Sequence, residues 1–420
     1  MRLSNLTCVY AETATYYLSV AMWHGMLLSQ WLYLLRPDTR TVGIAEGLPG
    51  LVKLAAAVAA AILVDACPRN PLLRVAAVLG LGVHLLVAAL VAAGTSASLE
   101  LWYLVLSIHA AYTVAQQVLT DAVFADSVPS GAAGRAGPYT RLYATRQAAF
   151  LVSPVLQLLY FARAGHNEWS EAALRPVMLV GVASGALSTI FFASLDQNRT
   201  LGHASEAAHV RGDAVELATT AEDDDAAPPL AAAATAAAAA RRVRWLILTF
   251  DVLRVASGGL INKFIPLFFS EQGVTPFGLA LLQLGIAALT VVGTLSAGAL
   301  ARRGLRRGSI CLGLLCVCDV ANLVVALSAS LPVDAVAWVV RDGSLEGAFG
   351  LKKSLMMDHT PKARRGRWNA VDSLQGSVWS VATMAGGYLI AADGYRAALG
   401  AMTAGFVAAT CAFVPLARTR

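Results

Sequence analysis

Long apolar stretches alternate with short polar ones along the whole chain. About 20 predominantly apolar residues span a bilayer as an α-helix. Stretches of this length are predicted at 9–35, 41–64, 71–94, 98–126, 139–162, 173–195, 244–269, 276–301, 309–330, 334–358, 368–391 and 395–417. The first also carries Glu12 and His24, which a spanning helix tolerates where its polar side faces a cavity. The pattern predicts an all-α membrane protein with twelve transmembrane helices.

The composition indicates that lipid is the solvent for most of this chain. Hydrophobic residues make up 57% of the 420 residues, and charged residues make up only 14%. Soluble domains carry roughly 25% charged residues. The net charge of +6 would suit nucleic-acid binding in a soluble protein, but the basic residues here follow the order of the helices. We therefore expect the lipid bilayer as a partner and no nucleic acid.

Basic residues cluster on one side of the predicted helices. Twenty Lys and Arg residues lie at the termini or in loops after even-numbered helices, and five lie in loops after odd-numbered helices. Because cytosolic loops of membrane proteins are enriched in Lys and Arg, both termini are predicted to be cytosolic. Two termini on one side require an even number of spans, which agrees with twelve.

A short phrase occurs once in each half of the chain, at the end of an apolar helix. The first copy reads Asp-Ser-Val-Pro at 126–129, with Gly-Arg at 134–135. The second reads Asp-His-Thr-Pro at 358–361, with Gly-Arg at 366–367. Each copy leads through a basic loop into another apolar helix. A multi-helix unit repeated in the same order is typical of secondary transporters.

One long hydrophilic stretch, residues 196–243, separates the sixth and seventh predicted helices. It contains an acidic run at 222–225 and an alanine-rich tract at 231–240, which favours an extension of helix 7 into the cytosol. The rest cannot bury enough apolar surface to fold alone. The predicted organisation is an N-terminal six-helix bundle at 1–195, a flexible cytosolic linker at 196–243 and a C-terminal six-helix bundle at 244–420.

Two six-helix repeats, cytosolic termini and a long central loop resemble the major facilitator superfamily. Its signature, Gly-x-x-x-Asp-Arg-x-Gly-Arg-Arg, follows helix 2. Residues 61–70 here read Ala-Ile-Leu-Val-Asp-Ala-Cys-Pro-Arg-Asn and keep the Asp and one Arg. Residues 298–307, after helix 8, read Gly-Ala-Leu-Ala-Arg-Arg-Gly-Leu-Arg-Arg and keep the Gly and the basic cluster. The resemblance covers all but the linker and implies alternating access between two rocking bundles.

The resemblance also implies gating residues at the cytosolic ends of the helices. In the family, a carboxylate after helix 2 caps a neighbouring helix and pairs with an Arg until the cytosolic side opens. Asp65 inherits this role by position, with Arg69 as its companion; the alternative is an ordinary helix-end carboxylate. Alignment of the two repeats matches Asp121 with Lys353. We predict that these two form a cytosolic gate, and pairing of each within its own bundle is the alternative.

Helices 1, 4, 7 and 10 line the central cavity in that superfamily, and all four have polar faces here. Charges within a bilayer are costly, so they are usually paired or functional. The predicted solute-binding residues are Trp23, His109, Gln116, Asn262, Lys263 and Arg341. Lys263 and Arg341 favour an anionic solute. Plain packing is the alternative for Trp23, and a helix–helix hydrogen bond is the alternative for His109.

Three carboxylates in or near the predicted spans are candidate proton carriers. They are Glu12, Asp121 and Glu346, since intramembrane carboxylates commonly relay protons in transporters. Proton symport is therefore one form of coupling that the sequence favours. On helix 7, Asp251 and Arg254 lie three residues apart, so they either serve transport or merely neutralise each other.

Other classes of function lack their sequence signatures. The seven histidines show no metal-ligand spacing, the six cysteines include no C-x-x-C pair, and no phosphate-binding glycine loop appears. We therefore expect no enzyme activity, no metal, no cofactor and no direct use of ATP. The alternative is a transporter fold used as a lipid transporter or as a non-transporting membrane sensor. A lipid carrier favours an apolar cavity, whereas these helices carry charge.

Together, these patterns predict a multi-pass integral membrane protein that is a secondary active transporter. The expected partner is a small polar solute, together with the bilayer and, in the case of symport, protons. The expected state is a monomer.

Overall fold

The computed structural model describes residues 3–128, 132–165, 167–201, 230–359 and 365–418. These residues form helices joined by turns and short loops, and no strand occurs among them. The prediction of an all-α protein with twelve membrane-spanning helices is confirmed. Much of the predicted linker, including the acidic run at 222–225, lies outside the described residues. So do parts of the repeated phrase, at 129–131 and 360–364.

The described residues of the first half form six helices. The first, α1, is interrupted: Asn5–Ser19 and Met26–Leu35 are joined through a π-helical turn at Val20–His24. The other five are α2 (Thr39–Ala66), α3 (Arg69–Ala93), α4 (Leu99–Ser127), α5 (Ala132–Ala164) and α6 (Glu171–Ala193).

The second half, at 230–359 and 365–418, forms six further helices. The first, α7, comprises Leu230–Gly259 and, after a turn, the short helix Ile265–Glu271. It is followed by α8 (Pro276–Arg302), α9 (Arg307–Leu327) and α10 (Leu331–Asp358). The last helical segment is Arg365–Phe413, in which Gly394 has a φ of +81°. Glycine adopts this conformation without steric cost, so the break divides the segment into α11 (365–393) and α12 (395–413).

Hydroxyl side chains start several helices directly after a short loop. The hydroxyl of Ser98 accepts a hydrogen bond from the backbone N–H of Leu101 at 3.2 Å, where α4 begins. Ser170 and Thr275 cap α6 and α8 in the same way. Each cap satisfies an N–H that has no partner within its helix. The sequence thus encodes where these helices start.

Within the described part of the chain, six helical segments are long and apolar enough to cross a membrane by length and composition alone: Thr39–Val64, Arg69–Ser96, Glu171–Ala193, Pro276–Arg302, Arg307–Leu327 and Gln375–Ala417. The last covers most of both α11 and α12. Several of the remaining helices have polar faces; α4 buries the side chains of His109, Thr113, Gln116 and Thr120 within the protein. Polar groups buried in this way avoid the cost of lipid contact.

Glycines allow α2 and α11 to pack closely across the two halves. A Cβ on Gly43 would lie 3.2 Å from the backbone oxygen of Met384 and 3.3 Å from the Cα of Gly387. A Cβ on Gly50 would lie 1.9 Å from the Cβ of Ser380. Small residues at such crossings let two helix backbones approach. This contact fixes one end of the boundary between the halves.

The structure describes both ends of the predicted linker. Asp196 belongs to the first half, because its backbone oxygen accepts a hydrogen bond from Asn5 at 2.9 Å. The backbone N–H of Leu201 donates to the oxygen of Asp126 at 3.0 Å. At the other end, α7 already begins at Leu230, so the alanine-rich tract is part of this helix.

Candidate functional site

A buried polar network joins three helices of the first half. The side-chain amide of Gln116 on α4 donates to Glu12 on α1 at 2.5 Å and to Ser188 on α6 at 3.0 Å. Only 5% of Glu12 and 2% of Gln116 is exposed. The structure therefore brings these two predicted residues together, but it places them inside the first bundle.

A cluster of aromatic rings and histidines surrounds the π-helical turn of α1. Trp23 is fully buried, and its indole N–H donates to Ser19 at 3.1 Å. The ring of His109 lies 5.1 Å from that of Trp23, 5.6 Å from that of His24, and 5.7 Å from that of His84. Separations along the sequence gave no sign that these histidines meet. Among the described residues, no group of His, Cys, Asp or Glu side chains is arranged to hold a metal ion.

Lys263 forms an ion pair across the two halves. Helix α7 is interrupted between Gly259 and Ile265, and this turn directs Lys263 toward the first half. Its ammonium lies 2.8 Å from the carboxylate of Glu46 on α2 and donates to the backbone oxygen of His24 at 3.2 Å. The cation predicted to bind a solute is therefore neutralised by a carboxylate of the opposite half.

The neighbouring residue Asn262 has a polar atom without a protein partner. Its side-chain oxygen is buried and accepts no hydrogen bond from the described residues. Such an atom is uncommon in folded proteins, because the loss of water contact is normally compensated.

Several hydrogen bonds between described residues join the two halves at one end of the molecule. Gln30 donates to the backbone oxygen of Pro266 at 2.7 Å, and Thr39 donates to that of Gly387 at 3.0 Å. Trp169 donates to the oxygen of Val274 at 2.7 Å. These residues lie near loops that follow odd-numbered helices. At the opposite end, each hydrogen bond between described side chains joins two residues of the same half.

A cavity of about 330 Å³ lies between the halves, lined by α1, α5, α8 and α10. Glu346 and Asp342 of α10 form one wall, and Arg146 of α5 lies on another. Gln147 of α5 and Gln283 of α8 add amide groups. The side chains of Glu346 and Gln147 are exposed, so solvent reaches this space. Of the residues predicted for the solute site or proton transfer, Glu346 lines this cavity.

Arg146 stacks on aromatic rings at the edge of the cavity. Its guanidinium carbon lies 4.6 Å from the ring centroid of Tyr17 and 5.7 Å from that of Phe150. A cation over an aromatic face is attracted by the ring quadrupole. Neither Arg146 nor Glu46 was predicted from the sequence as a site residue. A charge within a predicted span was the signal that could have identified both of them.

Arg341 lies inside the second bundle, away from the cavity. It is 1% exposed, and its guanidinium donates to the side-chain oxygen of Asn322 at 3.1 Å and pairs with Asp342. The rings of Trp338 and Phe406 lie 4.5 Å and 4.9 Å from its guanidinium carbon. In this conformation, the Arg341 side chain is enclosed by protein groups.

A second group of buried charges joins α7 to α10. Asp251 pairs with Lys352, and its carboxylate lies 3.9 Å from Nε of Arg254. The ring of Phe349 lies 4.4 Å from the Lys352 ammonium. The sequence suggested a pair of Asp251 with Arg254. In the structure, Lys352 on α10 joins these two residues.

The predicted gating residues occupy the opposite end from the contacts between the halves. Arg69 pairs with Asp126, the first residue of the repeated phrase, and its backbone N–H donates to Gln197 at 3.0 Å. The side chain of Asp65 lies outside the described part of the chain. Asp121 is exposed and forms no ion pair with a described residue, and Lys353 is half-buried. Asp121 and Lys353 are therefore not paired with each other in this conformation.

No protein-family model and no curated protein sequence matches the chain. Solved structures match it over almost its full length. A bacterial homologue of the iron transporter ferroportin, in an inward-facing state, has a TM-score of 0.70 at 15% identity, covering 99% of this chain and 98% of its own. A bacterial homologue of the lysosomal transporter Spinster has a TM-score of 0.66 at 13% identity, covering 99% and 96%. The nucleoside transporter NupG has a TM-score of 0.63 at 12% identity, covering both chains fully. The chain therefore has the major facilitator fold.

Proposed function

We propose that this protein is a secondary active transporter that moves a small polar solute by alternating access. The observation that carries the proposal is the solvent-exposed cavity between two bundles, together with the hydrogen bonds that described residues form between the bundles at one end of the molecule. Two such bundles can rock about a site between them and expose it to each side in turn. The structural neighbours are named as transporters of iron, nucleosides and other solutes, so the fold alone does not select the solute.

The proposal includes an orientation. The closed end carries the loops after odd-numbered helices, which are poor in Lys and Arg. By the positive-inside rule, this end faces away from the cytosol, and the conformation is inward-facing. The proposed organisation remains two bundles, at 1–195 and 244–420, connected on the cytosolic side by residues 196–243.

The surroundings of the buried cations bear on the charge of the solute. Lys263 and Arg341 supported an anionic solute in the sequence, but Lys263 pairs with Glu46 and Arg341 is enclosed within the second bundle. The cavity wall instead carries Arg146 together with Asp342 and Glu346. Neither Lys263 nor Arg341 therefore argues for an anion in this conformation. Glu346 is the predicted proton carrier that lines the cavity, and proton coupling stays a proposal.

A single cysteine in the cavity tests the transport proposal. In a background without the six native cysteines, Gln147→Cys should react with a membrane-impermeant thiol reagent added to the cytosolic face, because this side chain is exposed in the cavity. Leu104→Cys is the matched control, since Leu104 is 56% exposed on an apolar surface, where lipid should exclude the reagent. A solute that stabilises the purified protein thermally should slow the labelling and accumulate in reconstituted vesicles.

Other outcomes of this experiment would contradict the orientation or favour a different function. Labelling only from the non-cytosolic face would overturn the proposed orientation. A solute that protects the cysteine but never accumulates would favour the membrane sensor. Accumulation of a lipid alone would favour the lipid transporter.

We further propose that Asp121 and Lys353 meet when the cytosolic side closes. In the repeat they occupy matched positions, and in this conformation Asp121 has no ionic partner among the described residues. A pair formed in only one state shifts the equilibrium toward that state. Asp121→Lys and Lys353→Asp should each lower transport, and the double variant should recover part of it.

Transport by the reconstituted variants measures this effect, and Arg141→Gln at the exposed end of α5 is a control for surface charge. A double variant no better than the worse single variant, without crosslinking between cysteines at the two positions, would contradict the gate.

A further inference from the structure

The cavity between the halves presents opposite charges from opposite bundles. On α10, Asp342 and Glu346 are four residues apart and therefore lie on the same face of the helix. On α5, in the first half, Arg146 lines the same cavity. A solute between these walls meets a cation on one side and carboxylates on the other.

The three charged groups differ in how far the protein satisfies them. Asp342 already pairs with Arg341 from the interior of the second bundle. Glu346 has no hydrogen bond or ion pair with a described residue, and its side chain is exposed. Of the two carboxylates, Glu346 is therefore the one that no described side chain binds directly.

Two residues that line the cavity have hydrogen-bond donors without a partner among the described residues. The Nε atom of Arg146 and the Nε2 atom of Gln283 are buried without a hydrogen-bond partner in the described part of the chain. The Arg146 guanidinium stacks on Tyr17, which positions it without an ion pair to a described carboxylate. Guanidinium groups bind carboxylates well because their N–H donors match the two oxygens.

The remainder of the cavity wall is largely apolar, with Phe150, Leu151, Ile286 and Val291 among its residues. A volume of about 330 Å³ is at the small end of ligand pockets. The ligand should therefore be small, with an apolar part between its charged ends.

We propose that the cavity binds a small zwitterion of amino-acid type. Its ammonium contacts Glu346, with Asp342 adjacent, its carboxylate contacts Arg146, and its apolar side chain packs on α5 and α8. Because the two charged ends are bound by different bundles, the ligand bridges the halves. The inference rests on the proposed transport function and specifies its substrate class.

Thermal stabilisation of the purified full-length protein tests the proposal. The probes are alanine, valine, leucine and phenylalanine, with leucinamide as the cation-only analogue and N-acetylleucine as the anion-only analogue. At least one amino acid should raise the unfolding midpoint by about 2 °C or more at saturation, and for leucine the shift should exceed that of both analogues. No shift with any of the four amino acids, or equal shifts with leucine and its two analogues, would overturn the proposal.

Variants of the charged wall test the assignment of each end of the ligand. Arg146→Gln should weaken leucine binding at least about tenfold and abolish its advantage over leucinamide, because the carboxylate loses its partner. Glu346→Gln should abolish the advantage over N-acetylleucine. Arg141→Gln on α5 and Glu168→Gln in the loop before α6 are exposed controls and should bind as the unaltered protein does. Unchanged selectivity in both cavity variants would exclude this assignment.

The outcomes separate this inference from the transport proposal. If another solute protects Gln147→Cys and accumulates in vesicles while no amino acid binds, transport stands and the zwitterion site fails. If leucine binds with the expected selectivity but never accumulates, the site stands and transport fails.

Discussion

Replacing Asp251 by Asn should lower the free energy of unfolding by roughly 3–5 kcal/mol, the usual cost of breaking a buried ion pair. The Asp251 side chain is 3% exposed, and its partners Lys352 and Arg254 are 9% and 10% exposed. Asparagine keeps the size of the side chain but removes the one negative charge among these three groups. Two cations would then lie close together with little access to water.

Thermal unfolding and denaturant titration of the purified variants measure this effect. The double variant Asp251→Asn with Lys352→Met should regain part of the loss, because it removes one of the two cations that pair with Asp251. Asp393→Asn is the matched control. Because Asp393 is exposed, this variant should unfold like the unaltered protein. An Asp251→Asn protein with an unchanged midpoint would show that the pair does not contribute to stability.

Reversing the charge of Lys263 should open the closed end of the molecule and reduce transport by about tenfold or more. Lys263→Glu places a carboxylate against Glu46, where the ion pair now measures 2.8 Å between Nζ and Oε1. Like charges at such an interface cost several kcal/mol, and about 1.4 kcal/mol corresponds to a factor of ten in population. The conformation in which this end is closed would then be populated too rarely to support the transport cycle.

The closed end can be monitored by crosslinking across it. The guanidinium carbon of Arg40 on α2 lies 5.7 Å from the ring centroid of Tyr388 on α11, so cysteines at these positions should be joined by a short bifunctional reagent. Lys263→Glu should reduce this crosslink, and adding Glu46→Lys should restore it together with part of the transport. Glu168→Gln should leave both unchanged. If the charge-swapped protein crosslinks and transports no better than Lys263→Glu alone, the ion pair does not hold the closure.

Helix α10 illustrates what the sequence could predict about the site. The sequence predicted a membrane-spanning helix with several charged residues, and α10 carries these residues in the structure. It could not assign them to surfaces, because adjacent residues on a helix point about 100° apart. Arg341 consequently lies inside the second bundle, while its neighbour Asp342 lines the cavity. The rotation of the helix against its neighbours decides between these positions, and that rotation depends on packing.

In the first half, the sequence likewise predicted polar helix faces but not the contacts between helices. The polar stripe on the first helix was visible in the sequence, but the partner of Glu12, Gln116, is 104 positions away. The meeting of His24, His84 and His109 likewise required the packing of α1, α3 and α4. No local periodicity encodes which residues of two separate helices face each other.

The sequence by itself determined that this is a membrane protein of twelve helices, because the length of an apolar stretch and the hydrogen-bond needs of a backbone in lipid leave few alternatives. It also predicted the orientation and the helices that would have polar faces. Only the tertiary structure decided that Lys263 pairs with Glu46 across the two halves and that Arg146 and Glu346 line the same cavity. Those relations join residues of opposite halves, and they exist only after the two bundles have packed against each other.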